Sequence, residues 1–412
     1  MTTPPPQIDD RPKDTPPLGF REFVALIAAL MALTALGIDS MLPALPAIGH
    51  SLDVATANER QFVITAFLIG FGVAQLVHGP LADRFGRKPV LGIALAAYVV
   101  ANVVAAFSGS FVLLLIARFV GGTAIAASRV VTVALVRDCY SGRAMARVMS
   151  LAFIIFMAAP IIAPAFGMAV LQFGNWRLIF WGIAGGSAVI LIWFWIRMPE
   201  TQHVEDRQPL SAGLLLSGMR LALTDRWSIG YTLASTCLLG GLYGYINSIQ
   251  QILADTFERP TLLVPVFAIT AGTMAVANLL NSRIVVSVGT RRISHTALIA
   301  LITLAAVHLV VTLSGFETLW TFAILQALLM GCFGLATSNF GAMAMQNMGH
   351  IAGTASSVQG FITVTGGALI GALIGQSFDG TTVPLYVGFF VAGSIAILIV
   401  AVAERGRLFR SA

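Results

Sequence analysis

The segment GPLADRFGRKP at residues 79–89 separates two long apolar runs, at about 59–80 and 88–108. Its glycines Gly79 and Gly86 permit a tight turn, because a residue without a Cβ adopts backbone angles that other residues avoid. The turn also carries one acid and three bases: Asp83, Arg84, Arg87 and Lys88. Such charges, placed between two helix ends, can pair in one arrangement of the helices and separate in another. The alternative is an ordinary basic loop whose charges only orient the chain in a membrane.

Apolar runs of this kind continue through the whole chain. Of its 412 residues 57% are hydrophobic and 10% are charged, whereas a soluble protein carries about 25% charged residues. A water-facing surface cannot be built from so few charges, so most of the surface is predicted to face lipid. A spanning helix needs about 20 mostly apolar residues, and we count twelve such runs. They lie at about 22–45, 59–80, 88–108, 111–136, 146–171, 177–197, 228–252, 262–286, 293–314, 317–345, 350–376 and 383–403.

The positions of Lys and Arg support twelve spans. Nineteen of the 24 bases fall on the side of the two termini, three fall on the other side, and Arg118 and Arg129 lie inside spans. Because positively charged loops remain in the cytoplasm, both termini are predicted to be cytoplasmic, in the inner membrane of a bacterium. The net charge of +6 therefore reflects topology, and we predict no nucleic-acid partner.

The longest polar connection divides the chain into two halves of six helices. We predict five parts: a disordered cytoplasmic tail at 1–20 that contains six prolines, a bundle at 21–197, a cytoplasmic linker at 198–227, a second bundle at 228–404, and a tail at 405–412. The sequence thus predicts an all-α membrane protein.

A weak internal repeat crosses this division. Residues 79–88 place a glycine just before paired bases after the second run, and residues 281–292 do so after the eighth. A repeated half with a binding site between the two copies is a known plan of transporters.

The segment 79–89 resembles the signature loop between helices 2 and 3 of the major facilitator superfamily. The resemblance implies a conformational latch, in which Asp83 pairs across the bundle and Arg87 belongs to a charge relay. The latch residues are Gly79, Asp83, Arg84, Gly86, Arg87 and Lys88.

Further segments resemble the twelve-helix drug–proton antiporters, specifically the Bcr/CflA branch of multidrug, bicyclomycin and chloramphenicol exporters. They are residues 39–46, 118–122, 136–138, 159–167, 176–177, 199–201 and 353–357. The resemblance implies the major facilitator fold, with two pseudo-symmetric halves, and a transporter that exports a small molecule in exchange for protons.

The fifth span contains Pro160 and Pro164, which each remove a helix hydrogen bond and kink the chain. With Gly167 they resemble the antiporter motif, which packs this helix against its pseudo-symmetry partner. Met168 stands where a second glycine is usual. The alternative is a kinked packing helix that does not determine the direction of coupling.

Asp39 is the only acid that we place inside a span, about five residues before the external end of the first. Ionisable groups at depth are costly and usually face a cavity or a partner. The resemblance implies that Asp39 binds the coupling proton and a cationic substrate, and that Arg118, at a comparable depth in the fourth span, supports the proton relay. The alternatives are a structural acid at a helix end and an arginine that binds backbone carbonyl groups.

Arg129 departs from the resemblance, which has a small or apolar residue at this position. It lies eleven residues after Arg118, about 20° beyond three full turns, so both arginines share a helix face. If that face lines the central cavity, it favours a substrate with a carboxylate, a phosphate or another electron-rich group. The alternative is an arginine that extends to the cytoplasmic surface.

Polar side chains at helical spacing in the seventh span, and one in the tenth, also predict a cavity wall. Together with Asp39 and Arg129, the predicted substrate-binding residues are Tyr243, Asn247, Gln251 and Gln326. Each has the alternative of hydrogen bonding between packed helices.

The sequence contains no phosphate-binding loop for ATP, and its six histidines form no short metal-ligand pair. We predict no enzyme activity, no cofactor and no metal, with a small molecule, protons and the lipid bilayer as partners of a monomer. Two rival classes stay open: a proton-linked uptake carrier for a metabolite, and a non-transporting receptor or embedded enzyme.

Overall fold

The structure is a computed structural model, and it describes residues 18–203, 205, 207 and 212–409. Only the last three residues of the tail predicted at 1–20 fall within this range. The tail predicted at 405–412 is described as far as residue 409.

Within the described residues, twelve helices of 20 residues or more follow the twelve predicted runs, and no strand occurs. The long helices are α1 (Phe20–Asp39), α3 (Phe62–Phe85), α4 (Arg87–Ala106), α5 (Phe111–Cys139), α6 (Gly142–Phe173), α7 (Arg177–Arg197), α9 (Arg226–Gln251), α10 (Leu263–Val288), α11 (Thr290–Leu313), α12 (Leu319–Met345), α13 (Ala352–Gln376) and α14 (Val383–Ala403). Two shorter helices are α2 (Leu45–Ser51) and α8 (Ala212–Thr224).

Helix α9 differs from the other long helices in its polarity. Eleven segments of the described chain are long and apolar enough to cross a membrane, and α9 is not among them. Most of its residues are nevertheless buried, and it packs against α12, α13 and α14. Its polar side chains therefore face protein, and it occupies the position of the seventh predicted run.

The two halves comprise α1 to α7 and α9 to α14, and they meet where α3 packs on α13 and α6 on α10. The predicted repeat appears as a repeated turn. Gly86, between α3 and α4, has φ 102° and ψ 157°, and Gly289, between α10 and α11, has φ 92° and ψ 143°. Both angles lie in the region that glycine adopts readily, which explains why both halves keep a glycine before the bases.

The first span differs in detail from its prediction. Helix α1 ends at Asp39, and a 3₁₀ turn at Leu42–Ala44 and the short helix α2 follow. The reason is that Pro43 and Pro46 cannot continue the helix. Asp39 is thus the last residue of α1 and not, as the sequence predicted, five residues inside a helix.

The predicted linker at 198–227 contains a helix. Helix α8 packs against α13, where a Cβ on Gly218 would meet the side chain of Thr354. The linker thereby contacts the same helix that joins the two halves.

For orientation, we call the end of the bundle near the chain termini the terminal face and the opposite end the distal face. Helix α1 begins and helix α14 ends at the terminal face, and successive long helices run in opposite directions. Helix α3 therefore begins at the distal face, and α9 and α13 end there.

Candidate functional site

Asp39 lies at the end of α1, where the chain packs against α6. Its side chain is buried, and its Oδ1 has no hydrogen-bond partner among the described residues. The packing just after Asp39 is tight, because a Cβ on Gly167 would meet the carbonyl oxygen of Ser40 and the ring of Pro43. The motif glycine of α6 thus packs against the segment that follows Asp39, while α6 also contacts α10.

Arg118 lies at the depth predicted from sequence, but its partners are backbone carbonyl groups. Its Nε donates to the oxygen of Val63 at 3.0 Å and its Nη2 to that of Gly37 at 2.7 Å. Its guanidinium also lies 4.3 Å from the centre of the Phe67 ring. Within the described part of the chain it forms no ion pair with Asp39. The geometry corresponds to the carbonyl-binding alternative, in which Arg118 holds α1 and α3 against α5.

Arg129 lies on α5 between two residues that contact other helices of the first half. Ser128 donates to the carbonyl oxygen of Leu30 in α1 at 2.7 Å, and Val130 lies near Gly79 of α3. Arg129 itself is exposed. Its charge acts on Tyr243 of α9 in the other half, as does the charge of Asp39. Asp39 and Arg129 therefore share one neighbour across the interface between the halves.

Helix α9 carries buried polar side chains that lack partners among the described residues. Asn247 is fully buried, and neither its Nδ2 nor its Oδ1 has a hydrogen-bond partner among the described residues. The same holds for Oε1 of Gln250. Buried polar groups are normally paired, so these groups suit water or a bound molecule. The charge of Asp39 also acts on Tyr245, whose hydroxyl is hydrogen-bonded to the hydroxyl of Thr270 in α10.

Two predicted substrate-binding residues have other partners in the structure. Gln326 accepts a hydrogen bond from the hydroxyl of Tyr386 at 2.9 Å, within the second half. Gln251 donates to Oδ1 of Asn58 at 2.8 Å and accepts from Gln61. The structure does not bring these two glutamines to the space between Asp39 and Arg129.

Gln251 belongs to a network of side-chain amides that joins the halves at the distal face. Gln61 donates to the carbonyl oxygen of Gly375 at 3.1 Å as well as to Gln251. Asn58 donates to the carbonyl oxygen of Phe378 at 2.8 Å and accepts at its own carbonyl from Gln376, also at 2.8 Å. We call this network the amide seal. Sequence reasoning missed Asn58 and Gln61, because nothing in a short polar loop indicates which distant segment it contacts.

The predicted latch forms a charge cluster at the terminal face of the first half. The Nη1 of Arg87 lies 2.6 Å from Oδ1 of Asp83, and its Nε lies 3.3 Å from Oδ2 of Asp138 at the end of α5. Arg87 thus contacts the carboxylates of two helices, α3 and α5, and its role in a charge relay stays a prediction. Asp83 pairs within its own turn, and the pairing across the bundle that the resemblance implies does not occur among the described residues.

Other latch residues pack locally. Arg84 lies over the ring of Phe85, and Lys88 lies over Trp195. Glu200, in the segment 199–201, accepts hydrogen bonds from the backbone nitrogens of Arg87 and Lys88 at 2.9 and 3.1 Å. A carboxylate at a helix N-terminus is favourable, so Glu200 caps α4.

The second half has a comparable pair. Nε of Arg291 lies 2.8 Å from Oε1 of Glu404, which also accepts from the hydroxyl of Tyr231 at 2.6 Å. Burial alone raises the pKa of Glu404, but the hydrogen bonds from Tyr231 and Arg291 outweigh burial, so its pKa lies below the usual value. Gly289 and Arg291 thus repeat the roles of Gly86 and Arg87, although the acid comes from a different element.

Comparison with known proteins agrees with this architecture. The sequence profile of the Major Facilitator Superfamily matches residues 27–375. The chain is 32% identical over 386 residues to a bicyclomycin resistance protein homolog of Haemophilus influenzae, which covers 92% of this chain and 94% of the relative. It is 28% identical over 387 residues to multidrug resistance protein MdtL of Klebsiella pneumoniae, with 92% and 94% covered.

Among solved structures, that of the human organic anion transporter MFSD10 (TETRAN) is similar with a TM-score of 0.68 at 16% identity. The match covers 94% of this chain and 100% of that chain, and it shows a shared fold. Because the profile covers most of the chain and the bacterial relative exceeds 30% identity over nearly its full length, this multi-pass membrane protein belongs to the Major Facilitator Superfamily.

Proposed function

We propose that this protein exports a small molecule from the cytoplasm in exchange for protons, by alternating access to a site between its two halves. The observation that carries the proposal is Asp39, a buried carboxyl group without a hydrogen-bond partner for Oδ1. An ionised carboxylate without a partner is costly to bury. The site therefore closes only when Asp39 holds either a proton or a cationic group of the substrate, which is the competition that antiport needs.

The arrangement of the two faces supports export. The amide seal joins the halves at the distal face, whereas Arg129 is exposed nearer the terminal face. With the termini in the cytoplasm of a bacterium, as the positive charges favour, this arrangement receives substrate from the cytoplasm. Opening of the seal then releases the substrate outside and lets a proton reach Asp39. The protein acts in the inner membrane, and each monomer contains a complete site.

The class of substrate follows from the relatives. One bears the name of a bicyclomycin resistance protein homolog and another that of a multidrug resistance protein. We infer that antibiotics and related small organic molecules are exported here. Gln251 and Gln326 serve the seal and the packing of the second half, while Asp39, Arg129, Tyr243 and Asn247 form the substrate site.

A proton-linked uptake carrier is the second candidate, and Arg129 is the observation that favours it. An anion bound at Arg129 is held more strongly when Asp39 is protonated, because the site then carries a net positive charge. Proton and anion would in that case travel in the same direction.

The test uses inverted membrane vesicles energised to an acid interior. Substrate addition is expected to cause proton efflux with wild-type protein and none with Asp39→Asn, which keeps the shape of the side chain but cannot ionise. Asp53→Asn, at an exposed acid near the distal face in the same half, is the matched control and should behave as wild type. Full gradient-driven transport by Asp39→Asn would refute the assignment, and substrate accumulation together with protons would favour the uptake carrier.

A further inference from the structure

We propose that the substrate of this exporter is amphoteric, with a cationic group that pairs with Asp39 and an anionic group that pairs with Arg129. The inference rests on the proposed function and deepens it by naming the chemical class of the molecule that the site accepts. It is carried by the placement, exposure and missing partners of these two side chains.

Arg129 lies on the same face of α5 as Arg118, because the two positions differ by only about 20° around the helix. At the depth of Arg118 this face is closed by carbonyl groups of α1 and α3, and Arg118 is 2% exposed. At Arg129 the same face is open, and Val133, one turn further toward the terminal face, is 43% exposed. The open face begins at Arg129, so its guanidinium meets whatever enters between the halves.

Arg129 has no partner among the residues that the structure describes. No hydrogen bond, ion pair or ring contact of its side chain occurs within residues 18–203, 205, 207 and 212–409. By contrast, Arg87, Arg118 and Arg291 are each held by carboxylates or carbonyl groups. A cation inside a membrane protein usually pairs with an acid, a carbonyl group or a ligand. Arg129 is therefore available for an anionic group of the substrate.

The charges of Asp39 and Arg129 both act on the side chain of Tyr243, but the two residues form no ion pair with each other among the described residues. The unpaired amide of Asn247 lies one helical turn from Tyr243, against Gly375 of α13 and beside the amide seal. The space between the two charges thus has an acid at one end, a base at the other, and Tyr243 as their shared neighbour.

A charged substrate can be cationic, anionic or amphoteric. The exchange proposed here requires that substrate and proton compete at Asp39. A purely cationic molecule competes for Asp39 but is repelled by Arg129, whereas a purely anionic molecule binds Arg129 best when Asp39 is protonated and so travels with the proton. Only an amphoteric molecule competes with the proton at Asp39 while its anionic group neutralises Arg129.

The test compares three probes that share one ring system and differ in charge: norfloxacin carries an amine and a carboxylate, its methyl ester keeps only the cation, and N-acetylnorfloxacin keeps only the anion. Proton efflux from inverted vesicles measures exchange, with vesicles lacking the protein as background. Thermal stabilisation of the purified protein measures binding without transport. We expect norfloxacin to give a response about tenfold stronger than either derivative.

Variants of Arg129 complete the test. Arg129→Gln is expected to lower the norfloxacin response about tenfold while the response to the ester is kept or increased, and Arg129→Lys is expected to restore most of the norfloxacin response. Arg259→Gln, the same change at an exposed arginine near the distal face, is the control for removal of a charge.

The outcomes separate the two proposals. Responses in both assays that are confined to the ester or to the acetyl derivative, or an Arg129→Gln protein with the full norfloxacin response, would overturn the amphoteric class. Binding of norfloxacin that depends on Arg129, with no proton movement for any probe, would support the amphoteric site and refute proton-coupled export. Absence of binding and of exchange for all three probes would overturn both.

Discussion

The amide seal predicts a measurable shift between the two arrangements of the transporter when Gln61 is replaced by leucine. Gln61 is buried, and its Nε2 makes two hydrogen bonds to the other half, one to Gln251 and one to the carbonyl oxygen of Gly375. Its Oε1 has no partner among the described residues, so the change removes these two bonds and no others. Leucine has a similar volume and keeps the packing of the site approximately unchanged.

The magnitude follows from the number of bonds. A neutral hydrogen bond contributes about 1 kcal/mol net. Loss of the two hydrogen bonds of Gln61 makes closure of the distal face less favourable by about 2 kcal/mol. This multiplies the ratio of open to closed molecules by about 30. The two acceptors that Gln61 leaves behind act in the same direction, because they regain water only when the distal face opens.

Distance measurements between the halves test this shift. Spin labels on Ala57 and Ser377, two exposed residues on either side of the contact between Asn58 and Phe378, report the width of the distal face. Dipolar broadening of the spectrum detects the short distance of the closed arrangement, and double electron–electron resonance detects the longer distance of the open one. Gln61→Leu is expected to increase a population with a longer distance, and proton-driven export is expected to slow because the terminal face is then less often open.

The control is Ser314→Ala, which removes a hydrogen bond inside α11 near the same face but none between the halves. Its distance distribution should match that of the parent protein. If Gln61→Leu gives the parent distribution in a folded protein, the amide seal does not hold the distal face closed.

Two further predictions concern stability. Gly167→Ala places a methyl group against the carbonyl oxygen of Ser40 and is expected to destabilise the protein by about 1–3 kcal/mol, seen as a lower Tm and slower export; an unchanged Tm would contradict the close approach. Arg291→Gln leaves Glu404 without its charged partner and is expected to cost about 2 kcal/mol at neutral pH, whereas Arg292→Gln, at an exposed position, should cost little. Because the folded-state pKa of Glu404 is lowered, this difference in Tm should disappear as the pH falls through that pKa, and a difference that persists in acid would refute the pair's role.

Much of the architecture follows from the sequence, because a membrane imposes the same local requirement on every span. Each helix must supply about 20 residues that suit hydrocarbon, so the twelve runs could be counted without knowledge of their contacts. The glycines of the two repeated turns were recognisable for a similar reason, since their backbone angles depend on the turn itself. Asp39 stood out because an acid within an apolar run is rare.

The partners of the polar side chains depended on the tertiary structure. Arg118 binds carbonyl groups in place of Asp39, and Gln251 is used in the amide seal, although both residues have the depth and helix face of a binding site. Helix periodicity specifies a face but not the helix that faces it. The bonds of Gln61 join residues 190 and 314 positions apart along the chain, and only the packing of the two halves, which buries surfaces from both, decides which of these distant groups meet.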